Sequence, residues 1–114
     1  MKIPLIAILI ATAFLPIGVE AKSARCVIKQ HETIAYSGDC YLHLDQGGSF
    51  SVHLHDGKAI LPGITDISVS IVSAGVAEVR GLTTNGNNSR WGTAIRSKVD
   101  PACWTGSHFE ICAY

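Results

Sequence analysis

The segment YLHLDQGGSFSVHLH, residues 41–55, alternates apolar and polar side chains on both sides of a glycine pair. A hairpin that turned only at Gly47 and Gly48 would mix apolar and polar side chains on each face. If Gln46 joins the loop, Leu44 lies opposite Phe50 and every apolar side chain of the paired strands faces the same side. The segment therefore predicts a half-buried antiparallel hairpin with a three-residue loop.

The same alternation returns downstream, in residues 67–71 and 77–80. A loop at residues 73–75 places Val69 opposite Val79 and again collects the apolar side chains on one face. Each hairpin then needs another layer to cover that face. We therefore predict an all-β domain, a small antiparallel sandwich or barrel built from hairpins, with at most one short helix.

The rest of the chain carries weaker patterns. Runs of β-forming residues predict further strands, at residues 26–28, 33–36, 104 and 109–112. Residues 93–99 are the only candidate for a short helix, which Asp100-Pro101 would end. Residues 83–90 are polar and contain Asn85-Gly86, so they predict an exposed loop.

The N-terminal segment has the pattern of a secretory signal peptide. Lys2 supplies the positive charge, residues 5–15 the apolar stretch, and Val19-Glu20-Ala21 a small-residue cleavage site. The predicted organisation is a signal peptide, residues 1–21, followed by a single disulfide-stabilised β domain, residues 22–114. An uncleaved anchor is the alternative. Cleavage would make the protein secreted or periplasmic.

The charge balance narrows the range of partners. Nine Lys and Arg residues balance nine Asp and Glu residues, and the sequence contains no basic run. A neutral domain has little electrostatic attraction for nucleic acid or for an acidic membrane surface. We therefore expect no nucleic-acid partner and, once the signal peptide is removed, no membrane insertion.

The four cysteines are Cys26, Cys40, Cys103 and Cys112. An even number in a short exported chain predicts two disulfides, for which three pairings exist. The local pairing, Cys26 with Cys40 and Cys103 with Cys112, is favoured because a turn-forming segment separates the members of each pair. The two-residue spacing of a zinc knuckle or of a thioredoxin-like motif does not occur.

The first hairpin places three histidines, His43, His53 and His55, on its polar face, with Tyr41 opposite His53. Imidazoles in this arrangement could bind zinc or copper, and Asp45 could add a further ligand. The alternative is a solvated outer face on which histidine is one polar residue among others, because no closed four-ligand pattern is present. Apart from this candidate, the sequence predicts no cofactor.

A second candidate site, for binding, combines Asn88, Arg90, Trp91 and Arg96. Trp and Arg dominate binding surfaces because they bring large contact areas and planar hydrogen-bonding groups. An aromatic ring flanked by amide and guanidinium groups could also lie against a sugar. Trp91 could instead complete the core, which is the role we expect of Trp104.

No catalytic motif is recognisable in the sequence. His31-Glu32 begins like a zinc-protease helix, but Ala35 stands where the second histidine is required. A nucleophilic serine elbow and a phosphate-binding glycine loop are both missing. Glu78 and Arg80 on the second hairpin predict a surface ion pair rather than a catalytic pair.

The overall organisation, a signal peptide followed by a compact β domain with two disulfides, resembles in architecture the small envelope proteins that bind or inhibit other macromolecules, periplasmic lysozyme inhibitors among them. We predict a non-enzymatic exported binding module that recognises a protein or glycan partner, in the envelope or the extracellular space, through the loop of Arg90 and Trp91. The resemblance favours this prediction but covers only the architecture. A metal-binding envelope protein that uses the hairpin histidines, and a small secreted hydrolase, are the alternatives.

Overall fold

The computed structural model describes residues 21–114, so the predicted signal peptide lies outside the described residues except for Ala21. Eight antiparallel strands, neighbours in chain order, close into a barrel. The predicted all-β fold is therefore confirmed, as a barrel rather than a sandwich. The strands are β1 (Lys22–Gln30), β2 (Thr33–Leu44), β3 (Phe50–His53), β4 (Ile64–Ser73), β5 (Val76–Thr83), β6 (Asn88–Arg96), β7 (Cys103–Thr105) and β8 (Phe109–Ala113).

The register of the first hairpin is confirmed. Leu44 pairs with Phe50 across β2 and β3, and a short 3-10 turn at Gln46–Gly48 makes the loop. Gly47 and Gly48 both have positive φ angles, which glycine adopts without steric cost. This register is preferred because it places the apolar side chains of both strands on the same face. A slip by one residue would turn the apolar side chains of one strand to solvent.

The register of the second hairpin is confirmed as well, with a different turn. Val69 pairs with Val79 as predicted, but the pairing continues to Ser73 opposite Val76. The turn is therefore Ala74-Gly75 alone, and a register shift in β4 before Ser73 absorbs the extra residue.

The barrel interior is filled by the inward-facing side chains of all eight strands. The fully buried residues with the largest side chains include Ile28, Val52, Ile67, Val69 and Ile111. No polar or charged residue is buried within residues 21–114. An eight-stranded barrel has an interior just wide enough for side chains to fill it, so this core leaves no central channel.

One local prediction is wrong and another is confirmed only in part. Residues 93–99 do not form a helix, because residues 93–96 complete β6 and pair with β5 and β7. The exposed loop predicted at residues 83–90 is present but shorter, a turn at residues 84–87, because β6 begins at Asn88. In both cases, pairing with a neighbouring strand outweighs the local preference of a short polar or mixed segment.

Both disulfides have the predicted local pairing, Cys26 with Cys40 and Cys103 with Cys112. The first joins β1 to β2 inside the barrel, and the second joins residues that lie directly opposite each other on β7 and β8. Among residues 21–114, no helix has the length and apolar composition needed to cross a bilayer.

Successive antiparallel strands bring the connections to two opposite ends of the barrel. One end, which we call the upper end, carries the turns at residues 31–32, 84–87 and 106–108 together with the loop at 54–63. The opposite end carries the turns at 45–49 and 74–75 and the loop at 97–102. Side chains far apart in the sequence therefore meet at the upper end.

Candidate functional site

The upper end of the barrel holds a cleft of about 510 Å³ between the β1–β2 turn and the β7–β8 turn. We call it the upper cleft. The backbone N–H of His31 donates to the carbonyl oxygen of His108 over 2.9 Å, which ties the two turns together. Their imidazole rings lie 5.3 Å apart between centroids, tilted by 34°. The other lining residues include Lys29, Glu32, Thr105, Ser107 and Glu110.

The β1–β2 turn adopts a backbone conformation that is unfavourable for its residues. His31 and Glu32 have φ angles of 50° and 66°, in the left-handed region. This region costs a non-glycine residue roughly 1–2 kcal/mol. Three other hairpin turns of the chain place glycine at such positions, namely Gly47 and Gly48, Gly75, and Gly86. The β1–β2 turn instead places the side chains of His31 and Glu32 at the rim of the upper cleft.

Charged and hydroxyl groups form one wall of the upper cleft. Lys29 Nζ lies 3.7 Å from a carboxylate oxygen of Glu110, and both side chains are partly exposed. The hydroxyl of Thr105 donates to the other Glu110 oxygen over 2.9 Å. The wall therefore offers a cation, a carboxylate and a hydroxyl to a ligand.

Phe109 forms the apolar floor beneath the β7–β8 turn. Its side chain is buried, and a Cβ atom at Gly106 would come within 2.3 Å of the ring. Gly106 is therefore the residue that lets the turn close over the ring. Trp91 meets the ring of Phe109 edge to face, with centroids 5.6 Å apart.

Trp91 is the predicted binding residue that lies beside His31 and His108. It is half-buried and packs against the core, at a register shift between β5 and β6. A second hollow, of about 170 Å³, is lined by Trp91 together with Gln30, His31, His108 and Phe109. The two imidazoles thus line both concavities, and the indole lines the smaller one.

The other predicted binding residues do not join Trp91. Arg90 donates a bidentate pair of hydrogen bonds to the Glu78 carboxylate on the outer surface, with nitrogen–oxygen distances of 3.2 and 3.3 Å. Arg96, near the opposite end, donates to the carbonyl oxygen of Pro101. Asn88 is exposed at the start of β6. The four residues therefore follow one strand and do not form a single patch.

Glu78 pairs with Arg90 across the strands, and not with Arg80, so the predicted Glu78–Arg80 ion pair is wrong. The hydrogen bond from Arg90 is the main cause that lowers the pKa of the Glu78 carboxyl, followed by one from Thr93. The same contact raises the pKa of Arg90.

Trp104 is buried, as expected of a core residue. The Arg96 guanidinium carbon lies 5.7 Å from the centroid of the Trp104 ring.

The three hairpin histidines separate into two contacts. His43 Nε2 lies 2.8 Å from His53 Nε2, and both side chains are half-buried. His55 follows the end of β3, in a short 3-10 turn, and its Nε2 contacts the hydroxyl of Tyr41. Asp45 has its backbone N–H bonded to Ser49 in the loop at the opposite end.

A three-ligand metal site is not assembled by these histidines. Within the part of the chain that the structure describes, one group of three metal-binding side chains has all its ligand atoms within 4.8 Å, namely Cys103, Glu110 and Cys112. Both of its sulfurs are joined in the second disulfide. A disulfide sulfur is not a thiolate ligand, so this group cannot hold a metal while it is oxidised.

No protein-family model, no curated protein and no solved structure matches the chain.

Sequence reasoning missed the upper cleft. The sequence presents His31 and Glu32 only as the beginning of a metal-protease helix, and no sequence motif singles out His108. A signal was present: two non-glycine residues stand between two β-forming runs, at the place where a two-residue hairpin turn favours Asn-Gly. The meeting of His31 with His108 has no sequence signal, because it depends on closure of β8 against β1.

Proposed function

We propose that this protein is an exported, non-enzymatic binding module that recognises a glycan in the upper cleft. The observation that carries the proposal is the His31-Glu32 turn, which holds two non-glycine residues at positive φ angles beside a cleft of about 510 Å³. Backbone strain that persists at a concave surface points to a functional role for the strained side chains. The size of the cleft falls in the range of small-ligand sites, about 300–1,000 Å³.

The side chains of the upper cleft favour a ligand rich in hydroxyl groups. A sugar hydroxyl both donates and accepts hydrogen bonds, so its site needs groups of both kinds. Glu32 and Glu110 supply acceptors, Lys29 supplies a donor, and Ser107 supplies both. The imidazoles of His31 and His108 can serve in either role, according to their tautomer.

The aromatic residues beside the cleft favour a sugar over a purely polar ligand. Trp91 and Phe109 meet edge to face next to the two imidazoles. A pyranose ring has an apolar C–H face in addition to its hydroxyls, and such a face packs against aromatic side chains. His31, His108 and Phe109 line both the hollow beside Trp91 and the upper cleft.

Export is the second part of the proposal. It rests on the signal-like residues 1–21 and on the two disulfides, which form and persist in oxidising compartments. Release into the periplasm or the extracellular space would bring the protein to the compartments where free and surface-bound glycans are exposed. Mass spectrometry of the mature protein tests this part: a chain that begins at Lys22 is expected, and one that retains Met1 contradicts cleavage.

A glycan array probed with the disulfide-bonded protein tests the function, followed by titration of the strongest ligand. We expect His108→Ala and Trp91→Ala to weaken binding by about tenfold or more, because His108 lines both the upper cleft and the adjoining hollow and Trp91 supplies the aromatic side of that hollow. Arg90→Ala is the matched control: Arg90 neighbours Trp91 in β6, but its side chain faces solvent and contacts Glu78. It should leave the affinity within about twofold of the parent, as is usual for a residue outside the contact centre.

Three results would contradict the proposal. One is an array without binding above background. Another is an affinity that responds to Arg90→Ala but not to His108→Ala, which would move the contact to the outer face of β6. The third is recovery of the bound glycan in cleaved form, which would make the protein an enzyme. Glu32→Gln, at the exposed turn, provides a further cleft variant if Trp91→Ala does not fold.

A further inference from the structure

We propose that His43 and His53 form a binding site for one divalent transition-metal ion of the zinc and copper class, without His55. The site lies on the outer face of the β2–β3 hairpin and is independent of the proposed glycan cleft. Its basis is the contact between the two imidazoles, whose Nε2 atoms lie 2.8 Å apart with ring centroids 4.8 Å apart.

The hairpin register produces this contact. Tyr41 pairs with His53 and His43 pairs with Ser51, so the two histidines are diagonal neighbours on one face of the sheet. Diagonal side chains are within reach of each other when they are as long as imidazole. Both histidines are half-buried, which restricts the positions of the rings.

The tautomer of His53 favours metal binding. His53 Nδ1 lies 2.8 Å from the carbonyl oxygen of Leu54, and because a carbonyl oxygen only accepts, Nδ1 carries the proton. The Nε2 atom of neutral His53 therefore has a free lone pair, directed at His43. A histidine that ligates a metal through one nitrogen and donates from the other to a backbone carbonyl is the usual arrangement in metal sites.

Metal binding replaces the hydrogen bond between the rings with two metal–nitrogen bonds. In the neutral pair, the N–H at His43 Nε2 donates a hydrogen bond to His53 Nε2. On metal binding His43 changes tautomer: the proton leaves Nε2 and another is taken up at Nδ1 through solvent. Both Nε2 lone pairs then face the ion, and the pair of imidazoles keeps the same number of protons. Tetrahedral zinc with bonds of about 2.0–2.1 Å needs the two nitrogens about 3.3 Å apart, a small opening of half-buried side chains.

His55 is excluded because its Nε2 already contacts the hydroxyl of Tyr41, with the two rings 4.3 Å apart and edge to face. Asp66, the neighbour of His53 on β4, does not complete a set of three ligand atoms within 4.8 Å in the described part of the chain. The ion would therefore have two protein ligands and water in its remaining positions. Imidazole ligands suit zinc, copper and nickel rather than magnesium or calcium.

Titration of the disulfide-bonded protein with zinc sulfate at pH 7.5, measured by calorimetry and by ¹⁵N NMR of the imidazoles, tests the site. We expect one Zn²⁺ per chain, with ring-nitrogen shifts at His43 and His53. His53→Ala and His43→Gln should each weaken binding by about tenfold or more, a loss at least as large as that for an outer-shell partner. His55→Ala is the matched control and should change the affinity by less than about twofold, because it leaves both ligands in place.

Binding that survives His53→Ala would overturn the proposal, as would a loss of binding in His55→Ala. Ring-nitrogen shifts confined to His31 and His108 would also overturn it by moving the ion to the upper cleft. Circular dichroism shows whether each variant is folded. If His53→Ala is not, the ring-nitrogen shifts of the parent protein decide the question.

Discussion

Gly81 lies directly beneath the indole of Trp91: a Cβ atom at Gly81 would come 2.8 Å from the indole nitrogen and 3.2 Å from Ile64 Cδ1. Cβ atoms do not pack as close as 2.8 Å to another heavy atom. The indole can therefore lie against the core because Gly81, on β5, has no side chain. The position of Trp91 at the upper end therefore depends on a residue of the neighbouring strand.

Gly81→Ala should displace Trp91. Overpacking of a well-packed site costs about 1–3 kcal/mol, so we expect a loss of this size in the free energy of unfolding. Urea unfolding measures the loss, and a red shift in tryptophan emission shows that the indole has moved toward solvent. Arg80→Ala, on the same strand but exposed, is the control. An unchanged emission spectrum with unchanged stability would contradict the contact.

Each disulfide should stabilise the barrel substantially. Cys26 and Cys40 are separated by 14 residues, and Cys103 and Cys112 by 9. Closing loops of this length contributes about 2–3 kcal/mol each in the chain-entropy model. We expect Cys26→Ala with Cys40→Ala, and separately Cys103→Ala with Cys112→Ala, to lower the free energy of unfolding by at least this amount. A non-reducing peptide map that linked Cys26 to either C-terminal cysteine would contradict the basis of the prediction.

The Glu78 carboxyl should titrate below its ordinary pKa. The hydrogen bond from Arg90 favours the ionised form in the folded state, and Thr93 adds a second one. The contact therefore contributes stability above the ordinary pKa, and this contribution is lost as the pH falls through the lowered value. Carboxyl ¹³C NMR measures the titration, and Arg90→Ala should raise the pKa of Glu78 more than Thr93→Val does. Equal values in the parent and in Arg90→Ala would show that the ion pair does not form in solution.

The Tyr114 phenol should titrate above its ordinary pKa. It donates a hydrogen bond to Asp100, and this contact with a carboxylate raises the pKa because it favours the neutral phenol. The resulting stability is present below the ordinary value near 10 and is lost as the pH rises through the raised pKa. Absorbance at the tyrosinate band follows the titration. Tyr114→Phe and Asp100→Asn should each remove the most alkaline phase, and a phase that persists in Tyr114→Phe would assign it to another tyrosine.

The strand registers were predictable because the side-chain period of a strand is two. In residues 41–55 only one loop length puts every apolar residue of the paired strands on the same face, and the structure has that register. The helix predicted at 93–99 fails for the opposite reason. That segment has no strong period of its own, and its structure is set by β5 and β7, to which it pairs.

The two sites predicted from the sequence, the hairpin histidines and the group around Trp91, also differ in how far the local sequence determines their geometry. The meeting of His43 with His53 follows from the register of one hairpin, so the local sequence predicts it. The placement of His55 apart from them does not follow, because β3 ends at His53 and the alternation stops there. Arg90 and Trp91 are adjacent in the sequence, yet one contacts Glu78 on the surface and the other packs toward the core.

Alternation and turn chemistry act between residues that are close in the chain, and they suffice for an all-β domain, its hairpins and its disulfide pairs. The upper cleft requires the first and last strands to pair, which brings the turn at His31 to the turn at His108. No local preference encodes that meeting. It arises because eight strands bury their apolar faces most completely when the sheet closes on itself, and closure then dictates which turns become neighbours.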